Sequence, residues 1–201
     1  MAEHRPKPSP AERRAARGEI DDPAVVLEAA ARFLEARSRS VAEVRRRLGR
    51  AGYRPALVED AIARLTELGM LDDTAFGRAW VESRDRARPR GEIALRRELS
   101  LKGVDRAIVD ELLEERRDGS STGADGGLPD VAAARRLLAR NERALARVAD
   151  PRQRRQRAYA LLARNGFDPE TCREAATAFM AAALAANDAD DDAASPEGEG
   201  A

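Results

Sequence analysis

The stretch from Gly69 to Val104, GMLDDTAFGRAWVESRDRARPRGEIALRRELSLKGV, decides how this chain folds. Leu71-Asp72-Asp73 ends one helical segment and starts the next, because an aspartate side chain can accept the free backbone N–H groups of a first turn, and Asp72 is placed as the N-cap. Ala75, Phe76, Ala79, Trp80 and Ser83 follow at the spacing of one helix face and leave Arg78, Glu82 and Arg84 for water. A loop carrying Arg84, Arg86, Arg88, Pro89 and Arg90 breaks the pattern. After Gly91 a second helix sets Leu95 and Leu99 four residues apart, and Gly103 is free to take the left-handed turn that ends it. Asp105 caps a third helix with Ile108, Val109, Leu112 and Leu113 inward. Residues 70–117 thus read as one three-helix unit.

The preceding segment repeats the plan. Asp22-Pro23 joins an N-cap to a proline at the first helical position, where its missing N–H costs nothing, and a helix runs on to about Arg37. Ser40 and Glu43 form an S-x-x-E capping box for a second helix that turns Val44 and Leu48 inward and ends at Gly52. Pro55 opens a third, with Leu57, Val58, Ala61, Ile62, Leu65 and Leu68 as its apolar stripe. The segment 22–69 is the first unit, and 130–186 is the last. There Asp130 caps a long helix holding Val131, Ala134, Leu137, Leu138 and Leu145, and Asp150-Pro151 and Asp168-Pro169 repeat the cap-plus-proline signal.

Superposing Gly52, Gly103 and Gly166 tests the repetition. Four residues before each glycine stand Leu48, Leu99 and Leu162; eight before, Val44, Leu95 and Ala158; one after, Tyr53, Val104 and Phe167; six after, Val58, Val109 and Cys172. The expected fold class is all-α, three tandem three-helix repeats in an elongated, curved array whose neighbours contact mainly neighbours. Outside the repeats, residues 1–21 read as a disordered basic arm, 118–129 as a flexible Gly/Ser-rich linker and 187–201 as a disordered acidic tail.

Composition narrows function by exclusion. The 201 residues are 43% apolar, 3% aromatic and 36% charged, with no apolar run near the roughly 20 residues that span a bilayer and no signal-peptide pattern at the N-terminus. A single cysteine, Cys172, rules out an internal disulfide and fits a reducing, cytoplasmic setting. The only histidine, His4, lies in the arm, so neither a histidine-dependent triad nor a multi-histidine metal site is available. Cys172 aligns with Val58 and Val109, which points to a buried apolar role rather than a nucleophile. The glycines at 119–127 lack the Gly-Lys-Ser/Thr of a P-loop. Asp72 and Asp73, adjacent on a helix, point about 100° apart and suit capping better than metal binding, and Phe76 and Trp80 suit a core better than a base-stacking platform. No enzyme activity, cofactor or metal is expected.

Charge is balanced overall, 36 basic against 36 acidic residues, yet it is segregated. Residues 1–18 carry net +3 and residues 131–186 carry 11 basic groups against five acidic, while residues 187–201 carry six acids and no base. The densest cluster is Arg152, Arg154, Arg155 and Arg157, in the first turns of a helix where cations oppose the macrodipole by about 0.3–1 kcal/mol each. Arg45 and Arg46 of the first unit correspond to Arg96 and Arg97 of the second, just past the inward Val44 and Leu95. With Arg84, Arg86, Arg88 and Arg90 they are candidates for a discontinuous basic track suited to a polyphosphate. The acidic tail could fold back on the basic third unit, in which case deleting 187–201 tightens nucleic-acid binding at low salt.

Three motifs in this order, RSRSVAEVRRRL (37–48), LDDTAFGRAWVESR (71–84) and GEIALRRELSLKGV (91–104), resemble the RecX regulatory proteins over roughly residues 23–184. Gly77 departs from the alanine usual in that family. The resemblance implies an array of three-helix repeats that binds RecA recombinase on single-stranded DNA and modulates it, usually by inhibition, with no enzyme activity of its own. The implied partners are the RecA filament and its single-stranded DNA, bound weakly when alone, with no membrane and with the chain as a monomer. Such a protein would lie along the filament groove and limit filament growth, strand exchange and coprotease activity, within DNA repair, recombination and the SOS response. Two other readings remain: a stand-alone helix-turn-helix-like nucleic-acid-binding protein, and a helical adaptor without nucleic acid.

Overall fold

The computed structural model describes residues 9–120 and 129–193. Among these residues the chain forms eleven helices and no strand: α1 (Pro10–Gly18), α2 (Pro23–Glu35), α3 (Val41–Ala51), α4 (Pro55–Glu67), α5 (Asp73–Ala87), α6 (Glu92–Lys102), α7 (Arg106–Ser120), α8 (Pro129–Arg140), α9 (Glu142–Ala146), α10 (Pro151–Arg164) and α11 (Pro169–Ala193). The all-α fold is as expected. It divides into two compact bodies, one of Met1–Trp80 with Leu99–Leu112, the other of Val81–Glu98 with Leu113–Ala201. The division passes through α5, α6 and α7, so the middle unit lends half of its helices to each body.

Caps explain most helix starts. Asp22 accepts from the Ala24 N–H at 2.9 Å, Asp105 from Ala107 at 2.8 Å, Asp150 from Arg152 at 2.9 Å and Asp168 from Glu170 at 2.9 Å. Asp72 takes the N–H groups of Thr74 and Ala75 at 2.8 and 3.0 Å, which fulfils its expected role. The repeat register is also visible. Gly52, Gly103 and Gly166 have φ of 102°, 79° and 80°, and the N–H after each donates five residues back, from Tyr53 to Leu48, Val104 to Leu99 and Phe167 to Leu162. This is one helix-ending turn made three times. Leu48, Leu99 and Leu162 are buried beneath these turns, as are Val44, Leu95 and Ala158.

In the first body Val26, Ala30, Val44, Leu48, Val58, Ala61, Ile62, Leu65 and Leu71 form the core. In the second, Leu138, Leu145, Ala158, Leu162, Phe167 and Cys172 pack with the alanines of α8 and α11. Cys172 is fully buried, its thiol directed at the Phe167 carbonyl and its pKa raised by burial, so the apolar reading of this residue holds.

Several expectations need correction. The arm is not wholly without structure: Pro10–Gly18 is helical, started by a capping box in which Ser9 Oγ accepts from the Glu12 N–H at 3.2 Å and Glu12 accepts from the Ser9 N–H at 2.6 Å. Residues 1–8, with His4, fall outside the described residues. Helix α7 continues to Ser120, three residues into the expected linker, of which 121–128 fall outside; α11 continues to Ala193, past the expected boundary at 186, and 194–201 fall outside. The long helix expected after Asp130 breaks at Asn141. Its side-chain amide donates to Leu137 O at 2.8 Å and its N–H to Leu138 O at 2.9 Å, displacing the i−4 backbone bond and closing the turn early. On α5 the inward face is Phe76, Gly77 and Val81 with Trp80 half-buried, while Ala75, Ala79 and Ser83 are exposed and Arg84 is half-buried. Leu68, placed on the α4 stripe, is 52% exposed because the helix has ended.

Candidate nucleic-acid interface

Each body docks successive repeat units by the same device. In the first, Asp73 accepts the Val41 N–H at 2.9 Å, and Ser40 Oγ donates to the Lys102 carbonyl at 2.6 Å, so the start of α3 is joined to the end of α6. In the second, Asp130 accepts the Glu92 N–H at 2.9 Å, and the Gly91 and Ile93 N–H groups donate to Asn165 O and Gly166 O, so the start of α6 is joined to the end of α10. Free donors at one helix N-terminus meet free carbonyls at another helix C-terminus, and an aspartate from a third helix takes the remaining donor. Asp73 therefore caps a helix 32 residues away, and Asp130 does not cap its own helix as expected but that of Glu92. Burial raises the pKa of both, against the N–H bonds each accepts. Asp73 has a structural partner, and the described residues hold no group of three or more metal-ligating side chains.

This docking uses up part of the basic track. Arg45, exposed on α3, is held bidentately by Glu59, Nε–Oε1 2.6 Å and Nη2–Oε2 2.7 Å, which lowers the pKa of Glu59. Arg46 is exposed and reaches the Lys102 carbonyl at 3.5 Å, at the edge of bonding distance. Arg84 and Arg90 are half-buried and converge on Glu98 at 2.6 and 3.4 Å, with Arg90 also donating to Asn165 Oδ1. Arg96 pairs with Glu92 one turn back at 3.2 Å, Arg154 bonds the Val148 carbonyl at 3.0 Å, and exposed Arg86 lies 3.8 Å from Glu82. Arg88, Arg97, Arg152, Arg155 and Arg157 are exposed with no ion pair among the described residues. Of the twelve candidates, Arg46 and Arg154 bond only carbonyls, and these last five have neither an ion pair nor a side-chain hydrogen bond among the described residues.

Within the second body, Arg152 and Arg155 line a groove of about 770 Å³ between α10 and α11, together with Gln156, Tyr159, Arg173 and Met180. Arg173 and Tyr159 were not among the candidates. Arg173 stands alone in sequence, 16 residues beyond Arg157, and only the packing of α11 on α10 brings it to the cluster. The groove offers cations beside one aromatic face, a combination that accepts a phosphate and a base together. No described helix is long and apolar enough to cross a membrane.

Buried ion pairs account for other charges. Arg116 is only 7% exposed and bonds Asp85 through Nε and Nη2 at 3.0 Å each and Asp130 through Nη1 at 2.6 Å. Glu43 receives Arg37 and Lys102 at 3.0 Å each. Burial would raise its pKa, yet these two cations and the Ser40 N–H lower it to about 2.

Two family models match this chain, described as the first three-helix domain of RecX over residues 27–65 and the second over residues 72–113. The regulatory protein RecX of Chlorobium phaeobacteroides is 32% identical over 145 residues, spanning 72% of this chain and 87% of the relative. That of Mycolicibacterium vanbaalenii is 31% identical over 156 residues, 75% of this chain and 79% of the relative. The crystal structure of RecX from Lactobacillus salivarius superposes with a TM-score of 0.65 at 18% identity, covering 79% of this chain and 97% of that one, a likeness of fold.

Proposed function

This chain belongs to the RecX family of regulatory proteins, and from that premise we propose that it modulates RecA recombinase, as an inhibitor that binds the RecA–single-stranded DNA filament along its groove. Filament growth, strand exchange and coprotease activity are the processes it limits. The observation that carries this reading is the row of unpaired arginines on α10. Arg152 sits in the first turn, where a cation opposes the helix macrodipole, Arg155 and Arg157 follow in the next turn, and the described residues offer them no acid. A polyanion outside the chain offsets that cost. Arg97 and Arg88 add exposed charge on α6 and in the loop before it. Several weak contacts on one ligand multiply through effective concentration, which suits a polymeric target.

The test compares affinity for RecA filaments, naked single strands and duplex at matched salt, with and without Arg152→Glu, Arg155→Glu and Arg157→Glu together. Tight binding to filaments, weak binding to naked DNA and a loss of at least about tenfold in the triple variant are expected. Sequence-preferring duplex binding would instead identify a stand-alone DNA reader, and an unaffected triple variant would identify a helical adaptor.

A further inference from the structure

We propose that α1 and α3 form a second anion site, a groove that holds the phosphodiester backbone of a single nucleic-acid strand between Arg14 and Arg17 on one side and Arg47 and Arg50 on the other. It rests on the proposed function only in naming the strand of the filament as its ligand.

The groove has a volume of about 520 Å³ and lies within the first body. Its other lining residues are Pro10, Ala11, Arg13 and Ala51. Helix α1 buries none of its nine residues, so hydrophobic docking does not explain why it lies against α3. Polar contacts fasten it: Arg54 Nε donates to Gly18 O at 2.8 Å, Arg17 Nη1 to Ala51 O at 3.4 Å, and the Gly52 backbone meets the Arg14 main chain so closely that a Cβ there would stand 2.5 Å from Arg14 O. These fastenings press one cationic helix against another. The single acid of α1, Glu12, is turned back to the Ser9 N–H, and Arg13 has a partner of its own, so the cationic lining that counts is Arg14, Arg17, Arg47 and Arg50. Like charges so arranged repel unless an anion lies between them.

The lining also identifies the anion. Arg17 stacks over Tyr53 at 5.9 Å and Arg47 over Phe33 at 5.7 Å, which leaves guanidinium edges free to donate. Arg14 and Arg17 on α1, and Arg47 and Arg50 on α3, stand three residues apart, steps of about 5–6 Å that give rows rather than a point. A protein partner would need a large apolar anchor at its centre, and none lines this groove. A strand backbone is a row of anions and needs none. Helix α1 lies outside both family-matched stretches, whereas Arg47 and Arg50 on α3 lie within the first.

The experiment titrates the full-length protein with a labelled oligothymidylate across a range of salt, and with inorganic tripolyphosphate in parallel. The double variant Arg14→Gln and Arg50→Gln is expected to bind the strand about tenfold more weakly at low salt. The slope of log affinity against log salt should fall by about 1.4, or about 0.7 for each lost phosphate contact. Arg50→Gln alone, which leaves α1 untouched, should show half that change. An unchanged slope overturns the inference, as does tripolyphosphate binding that needs both arginines in a protein with no affinity for the oligonucleotide. Loss of recombinase modulation with strand affinity intact assigns the groove to a protein partner and also overturns it, leaving the proposed function standing. Loss of strand affinity in a protein that never alters recombinase activity supports the groove and removes the proposed function.

Discussion

At the scale of the residue, function and stability pull in opposite directions on α10. Arg152 occupies the first turn of a helix whose positive end disfavours it, so Arg152→Glu should raise unfolding free energy by about 0.3–1 kcal/mol while weakening partner binding. Denaturation and filament-binding measurements on the same variant check this, and a loss of both together would mean that the arginine acts through folding. Glu43 obeys the opposite logic. Its pKa of about 2, below the ordinary value of 4.5, means that the ionised form is stabilised by the fold. Its contribution, roughly 2–3 kcal/mol for a carboxylate 13% exposed, is present above pH 4.5 and lost as pH falls toward 2. Glu43→Gln should therefore lower stability at neutral pH and flatten the acid limb of a urea-midpoint profile across that window. Asp73 and Asp130, raised by burial, act with the other sign, their contribution falling as pH rises past 3.8.

At the scale of the element, the glycines that end the second helices do more than permit a turn. Gly103 has φ of +79°, and a Cβ there would lie 2.4 Å from the Ala42 Cβ of α3. Gly103→Ala should cost about 1–2 kcal/mol for the left-handed backbone and about 1–3 kcal/mol more for overpacking. Ala42→Gly removes the atom in the way, at a helix-propensity cost of up to about 1 kcal/mol. A double-mutant cycle by chemical denaturation should return a favourable coupling of about 1–3 kcal/mol. Strict additivity would show that the turn alone requires the glycine. Gly77, by contrast, faces the flexible end of Leu112, a neighbour able to move for an alanine.

At the scale of the whole molecule, the two bodies have different keystones. Arg116 closes the second with Asp85 and Asp130, and Arg116→Ala leaves two carboxylates without their cation, at a cost of about 3–5 kcal/mol. The single tryptophan, Trp80, packs on Phe76 and Lys102 of the first body. Guanidinium unfolding of Arg116→Ala should show the far-UV circular dichroism transition beginning well before the Trp80 fluorescence transition. Coincident curves would mean that the bodies unfold as one through the helices they share.

Helix positions and repeat register were legible in the chain because they are written locally. A cap reaches two or three residues, as Asp72 does to Thr74 and Ala75, and the three glycine turns repeat within one helix end. Helix α1 was missed, although Ser9, Pro10 and Glu12 carry its capping signal, because a helix that buries nothing has no apolar pattern to announce it. The basic segments were also legible as composition. Which arginines remain available was settled by tertiary structure alone, because a charge is neutralised by whatever lies near it in space. Glu59 is 14 residues from Arg45, Asn165 is 75 from Arg90, and Arg173 joins Arg152 only through helix packing. Sequence placed the charges, and folding decided which of them were already spent.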